Sequence, residues 1–315
     1  MTELSVPWGQ EQLKIVLPAH WSLVQTAQSS LRAAEKDWPE RIALALSQPC
    51  TGLALPKLLA ARRSGRIVLV LEDATRHSPL PAILEIVLRE FRHARIPDEQ
   101  IEVLFATGMH PPMTPQQAAA KLGPAGEPLR WRSNPWQDPR HYAQMWHVAG
   151  LDVRIERSLL EADLRIIISS VSPHLQAGFG GGYKMYLPGC SHIETIRSLH
   201  RLGINRTGRQ LVGLNEGENP MRAAIDQAGA AIDERAGKTF ALQYLLDDEN
   251  LPAFVAAGEV LPTYRMVAKQ CAVACGIVPA SPADVLIANA TRGTWTSGSA
   301  SSASPTPAGP PAPTG

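Results

Sequence analysis

The stretch from Ser172 to Cys190 reads SPHLQAGFGGGYKMYLPGC. His174 stands ahead of four glycines, Gly178, Gly180, Gly181 and Gly182, and Lys184 follows directly behind them. Glycine lets backbone approach a ligand closely, and lysine can neutralise a phosphate or act as a nucleophile. A tight turn is the plainer reading, but so many glycines carry an entropic cost that a turn does not require. The loop is not a P-loop, because Met185 stands where the GxxxxGK[ST] pattern has Ser or Thr.

Two further polar clusters, Asp73-Ala74-Thr75-Arg76 and Thr107-Gly108-Met109-His110, each follow a continuous apolar run. The runs RIVLVLE (66–72), IEVLFA (101–106) and LRIIIS (164–169) read as buried parallel strands. Helical spacing of apolar residues covers 80–94, and further helical segments fall at 115–122, 221–231 and 262–275. Strands alternating with helices indicate an α/β fold with a mostly parallel sheet. Ligands of such sheets bind beyond the carboxyl ends of the strands. Arg76, His110, His174 and Lys184 are therefore expected to share one crevice. The plainer alternatives are an Arg76–Asp73 pair on the surface and two ordinary, partly buried histidines.

After the lysine, Ser191 and Glu194 fit a capping box, with Ser191 as N-cap of a helix through ETIRSLHRL. His200 then lies on nearly the same face as Ile193 and Ile196. It is either a satisfied core histidine or, because its helix follows the lysine loop, a metal ligand. His20, His77, His93, His141, His147 and His192 carry no such argument and read as surface or structural.

Composition narrows the classes. The chain has 315 residues, 44% of them apolar, and a formal net charge of +1. About two domains are expected at this length. The charge gives no reason to expect nucleic acid or an anionic membrane as partner. No apolar run reaches the roughly 18 residues of a membrane span. The N-terminus has no basic segment followed by an apolar one, so no secretory signal is read and a cytoplasmic protein is expected. The four cysteines, Cys50, Cys190, Cys271 and Cys275, form no CxxC pair; Cys271 and Cys275 would share a helix face as small buried residues, a metal pair being the alternative. Residues 210–251 read as surface helices and loops without an interpretable motif. ADVLIANA (283–290) reads as a strand, and the tail 291–315, without Val, Ile, Leu, Met or Phe, as disordered.

The motifs D-x-T-R at 73–76, A-T-G-x-H at 106–110 and P-H-x4-G-F-x-G-G-x-K-x3-L-P-G at 173–189 together resemble the nickel-pincer-nucleotide lactate racemase family. Trp8-Gly9 and Ala162-Asp163-Leu164 agree as well, and the match covers roughly residues 1–290. The resemblance implies a nickel-pincer nucleotide, a nickel pyridinium-3,5-bisthiocarboxylic acid mononucleotide, tethered covalently at Lys184 with His200 as nickel ligand. It implies His110 and His174 as the acid/base pair, Arg76 on the substrate carboxylate, and Asp73, Thr75, Gly181 and Gly182 around the nucleotide. The activity implied is racemisation or epimerisation of a 2-hydroxy acid by reversible hydride transfer, with cofactor maturation enzymes as partners. The resemblance also implies residues 1–258 as an N-terminal domain carrying the motifs and 259–290 as the start of a second α/β domain, largely truncated. Gly180 stands where the family commonly has serine, and family members continue for roughly another hundred residues. The alternative expectation is a truncated, non-catalytic remnant that at most binds a nucleotide-like ligand.

Overall fold

The computed structural model describes residues 2–8, 11–26, 30–61, 65–143, 146–204, 211–278 and 280–287. They fall into two compact units, one from residues 1–28 with 277–315 and one from residues 29–276. In the first, β1 (Glu3–Trp8) pairs antiparallel with β2 (Glu11–Val16). Residues 283–287 form no strand, contrary to expectation. Val285, Leu286 and Ile287 are exposed, and no strand among the described residues lies alongside to take up their backbone groups. The rest of that segment (288–290), Gly9 and the tail 291–315 lie outside the described residues.

The second unit begins with α1 (Trp38–Ser47) and α2 (Leu55–Ala60). β3 (Ile67–Leu71), α3 (Leu80–His93), β4 (Ile101–Phe105), α4 (Pro115–Gly126) and β5 (Arg130–Ser133) follow. A small hairpin of β6 (Trp146–Val148) and β7 (Leu151–Val153) and the short α5 (Ser158–Glu161) lead to β8 (Leu164–Ser170). The glycine loop holds a two-residue ladder, β9 (Pro173–His174) with β10 (Gly178–Phe179). α6 (Ile193–Leu202), α7 (Pro220–Ala236), β11 (Phe240–Leu246), β12 (Pro252–Glu259) and α8 (Val260–Cys275) complete it.

Six strands form one sheet in the order β12-β11-β8-β3-β4-β5, all parallel except the edge strand β12. β3 is apolar throughout, and β4, β8 and β11 are largely so, because both faces of the sheet are covered. Ile67, Leu69 and Leu71 of β3 pack with Ile42 of α1, Leu55 of α2 and Leu84 of α3. Val68 and Val70 point the other way, toward Leu199 of α6 and Ile225 of α7. Numbered along the chain, the five parallel strands run 3-2-1-4-5, so the chain departs in opposite directions after β3 and β8. The crevice where such a sheet takes its ligand lies between those two strand ends.

The expected strands and helices of this unit are present, and several helices run further than their periodicity suggests. Two expectations are corrected. Residues 210–251 are not mainly surface: Phe240 to Leu245 of β11 are buried, and so are nine residues of α7. Polarity averaged over that stretch hid one short apolar run. The N-cap of α6 is His192, whose Nδ1 accepts from Glu194 N at 3.4 Å. Ser191 is drawn inward instead and donates to the Tyr186 carbonyl at 2.8 Å. Residue 258 lies within β12, and α8 packs on β11 and β12, so both belong to the unit that ends at Gly276. Cys271 is buried, whereas Cys275, at the helix end, is exposed.

Arg165, fully buried in β8, ties this packing together. Its Nη1 donates to the carbonyls of Leu159 (3.1 Å) and Ala162 (2.8 Å), and its Nη2 to those of Ala236 and Gly237. One guanidinium thus serves the ends of α5 and α7. Arg165→Met leaves these acceptors unpaired away from water and should cost about 3 kcal/mol or more in urea unfolding; a change under about 0.5 kcal/mol would show that the carbonyls find other partners.

Candidate active site

A cleft of about 200 Å³ opens where β3, β4 and β8 end, and Asp73, Arg76, His110, His174, Lys184 and His200 all line it. Gly181 lines it too, whereas Thr75 and Gly182 stand behind the wall. The Asp73 carboxylate is the anchor of the first cluster. Its Oδ1 accepts from Thr75 N (3.0 Å) and Thr75 Oγ1 (2.5 Å), and its Oδ2 meets His110 Nδ1 at 2.6 Å. Burial alone would raise its pKa, but the hydrogen bonds from His110 and Thr75 outweigh it and hold the group below an ordinary aspartate. With Asp73 ionised, His110 Nδ1 donates the hydrogen bond, and Nε2 of the neutral ring is left as a proton acceptor.

His174 has the opposite arrangement. Its Nδ1 accepts from Gln176 N (3.3 Å) and Ala177 N (3.0 Å), so the neutral ring carries its proton on Nε2. The positive charge of Lys184, burial, and the charge of Arg76 push its pKa down to about 2. His200 Nδ1 donates to the Ile196 carbonyl at 2.8 Å. That bond fixes the ring on its helix and leaves the Nε2 lone pair for a ligand. Burial lowers its pKa as well.

Lys184 sits in a 3-10 turn, Gly182–Met185, just past the glycines. Its Nζ makes no hydrogen bond or ion pair among the described residues. Burial, then the charges of Arg76 and Arg222, bring its pKa down to about 7. An amine desolvated beside other cations is a nucleophile near neutral pH. The Arg76 guanidinium is likewise unpaired among the described residues, while its carbonyl accepts from Lys121 Nζ at 2.5 Å. A free guanidinium fork is suited to a carboxylate.

The glycines serve the protein's own packing as much as a ligand. A Cβ on Gly181 (φ 77°) would stand 2.6 Å from Gln243 Oε1, and one on Gly182 (φ 60°) 2.9 Å from the Tyr264 ring. The amide of Gly182 is committed to Gln243 Oε1 at 2.7 Å. Gln243 Nε2 in turn donates to Ser169 Oγ at 2.9 Å, joining the loop to the end of β8. Glu72 does the same for β3, accepting from Ser170 N and Ser170 Oγ, each at 3.0 Å. Sequence reasoning named neither Gln243 nor Glu72. The signal for each was a polar residue interrupting or ending an apolar strand run.

Among the described residues, no group of three or more His, Cys, Asp or Glu side chains could hold a metal ion. The donor set does fit a group that brings its own metal ligands, needs one imidazole, and attaches to an amine. His200 Nε2 and the unpaired Lys184 Nζ have those properties, and Gly180 and Gly181 keep that wall of the cleft low. No helix among the described residues is long and apolar enough to cross a membrane.

Comparison with known proteins places this geometry in a family. The lactate racemase of Thermoanaerobacterium thermosaccharolyticum is 26% identical over 297 residues, covering 91% of this chain and 66% of that protein. The lactate racemase of Lactiplantibacillus plantarum is 27% identical over 231 residues, covering 72% of this chain and 52% of that protein. The structure of the lactate racemase apoprotein from Thermoanaerobacterium thermosaccharolyticum superposes with a TM-score of 0.71 at 22% identity, covering 87% of this chain and 63% of that one. A crystal structure of a protein from Thermotoga maritima gives 0.61 at 21%, covering 74% and 57%. These structural likenesses establish the fold. The chain spans between half and two thirds of the length of the curated relatives it matches. Residues 8–211 match the lactate racemase N-terminal domain, and the chain belongs to that family.

Proposed function

We propose that the chain is a racemase or epimerase of 2-hydroxy acids, acting as a lactate racemase does on lactate. The observation that carries the reading is the cleft itself. Two histidines with opposite proton arrangements share it with an unpaired guanidinium and an unpaired amine. Arg76 binds the substrate carboxylate. His110, oriented by Asp73, takes the hydroxyl proton at Nε2. His174 meets the oxygen of the opposite enantiomer with its Nε2–H; the proton it gives up there is made good by the one His110 took, so the pair ends the cycle with the protons it began with, and the two exchange roles in the reverse direction.

The cofactor in this reading is the nickel-pincer nucleotide, which when bound supplies a reversible hydride acceptor for the substrate Cα. Lys184 would hold it covalently, His200 Nε2 would ligate its nickel, and Asp73, Thr75, Gly181 and Gly182 would surround the nucleotide. The substrate class beyond a 2-hydroxy acid is set by parts of the cleft other than these groups. The maturation enzymes that build the cofactor are the partners this reading requires.

Attachment at Lys184 converts a cationic amine into an uncharged amide-like group. That removes the first cause of the depressed His174 pKa. In Lys184→Met protein the His174 pKa should therefore rise from about 2 toward its ordinary value, as read by NMR titration of the ring. An unchanged value would separate the two side chains electrostatically. In the unmodified chain, acylation of Lys184 should increase with pH around a midpoint near 7, well below that of surface lysines.

The reaction is tested on protein co-produced with the maturation enzymes. A 2-hydroxy acid deuterated at Cα should racemise in ordinary water and keep its deuterium. Complete wash-out would point to direct proton abstraction and overturn the reading. His110→Ala and His174→Ala should each lower turnover by about a hundredfold or more. Intact mass should show an adduct absent from Lys184→Ala, and nickel content should fall in His200→Ala. Adduct and nickel without turnover would favour a binding remnant.

A further inference from the structure

The first turn of α7 lies in the stretch that the motifs pass over, yet it grips the segment beside His174. Asn219 and Arg222 are both fully buried. Asn219 caps α7, its side-chain oxygen accepting from Arg222 N at 3.0 Å. Its Nδ2 donates to the Gln176 carbonyl at 3.0 Å and to the Leu211 carbonyl at 3.3 Å. Arg222 Nε donates to the Ala177 carbonyl at 3.2 Å, and Nη2 to the Phe179 carbonyl. The remaining arm, Nη1, meets Asp226 Oδ1 at 3.2 Å, and the guanidinium lies 4.4 Å from the centre of the Tyr264 ring.

The peptide unit between Gln176 and Ala177 is held from both sides. Asn219 binds its oxygen, and its N–H is the 3.0 Å donor to His174 Nδ1. A peptide is planar, so fixing its carbonyl fixes the direction of its N–H. Hydrogen bonding at the carbonyl also polarises the N–H and strengthens the bond it makes. Two backbone donors aimed at Nδ1 exclude a proton there, because a third donor would face them in a buried setting.

We propose that Asn219 and Arg222 are positioning residues for His174: by holding residues 176–179 through their carbonyls, they keep the ring with Nδ1 bonded to backbone and Nε2–H as the group left for the cleft. The consequence for catalysis rests on the acid–base role of His174 proposed above. The positioning itself does not, so the two can fail separately.

The test is the tautomer, read in cofactor-free protein labelled with 15N-histidine, with His174→Gln assigning the signal. Long-range proton–nitrogen correlations should show His174 wholly as the Nε2–H form. Asn219→Asp keeps the capping oxygen but removes the donor to Gln176; Arg222→Lys keeps the charge but loses the fork. In whichever of these folds, as judged by the unchanged His200 and His110 signals, the Nδ1–H form of His174 should become populated. Once loaded with cofactor, the same variant should lose about tenfold in kcat with KM within twofold. A mixed tautomer in the unsubstituted chain overturns the proposal outright. So does a folded variant whose His174 stays wholly Nε2–H. Absent racemase activity with the expected tautomer shift would instead remove the functional reading and leave the positioning intact.

Discussion

Parallel pairing of β3 with β8 sets Leu71 opposite Ile168, so both strands release the chain at the same edge of the sheet. From there β3 leads toward β4 and β8 toward β11, on opposite sides. Asp73 and Arg76 come from one, Ser169 to Lys184 from the other, and Glu72 bonds the two at Ser170. Any change that slid this register would separate the Arg76 guanidinium from the lysine loop.

The chemistry of the cleft follows from an excess of positive charge in a place with little water. Lys184, Arg76 and Arg222 act on one another, and the compliant member is the amine, because a guanidinium does not give up its proton. Lys184 is therefore prepared as a nucleophile first by burial and then by its cationic neighbours rather than by an adjacent base. The charge of Lys184 is also the first cause of the low His174 pKa. Thr75 and His110 occupy the oxygens of Asp73, whose charge opposes that of the two guanidinium groups at Lys184. The Arg76 guanidinium makes no hydrogen bond or ion pair among the described residues.

Second-layer contacts give the site its rigidity. The glycine loop is not a loose cradle: Gln243 from β11 and the first turn of α7 bind it through backbone atoms on opposite sides. Tyr264 of α8 lies close enough that Gly182 has no room for a side chain. The loop can present Lys184 at a fixed height because three separate elements converge on its backbone.

Much of this was legible in the sequence. The largely apolar runs at 66–72, 101–106 and 164–169 marked the parallel strands, since strands covered on both faces dispense with alternation. The polar residues following each run then marked the cleft, because strand direction dictates where the ends lie. The residue types of Arg76, His110, His174, Lys184 and His200 were equally plain. What depended on tertiary structure was every bond that sets their state. Which nitrogen of each histidine faces the cleft depends on Asp73, Gln176, Ala177 and Ile196 as partners, and spacing does not reveal that. The same holds for the capping of α6, where Tyr186 drew Ser191 away. It holds for Gln243, Asn219 and Arg222, polar residues in apolar or unremarkable stretches whose partners lie more than forty residues away. Local periodicity records which way a side chain points within its own element; proton position and charge state are settled by atoms that only the folded chain brings near.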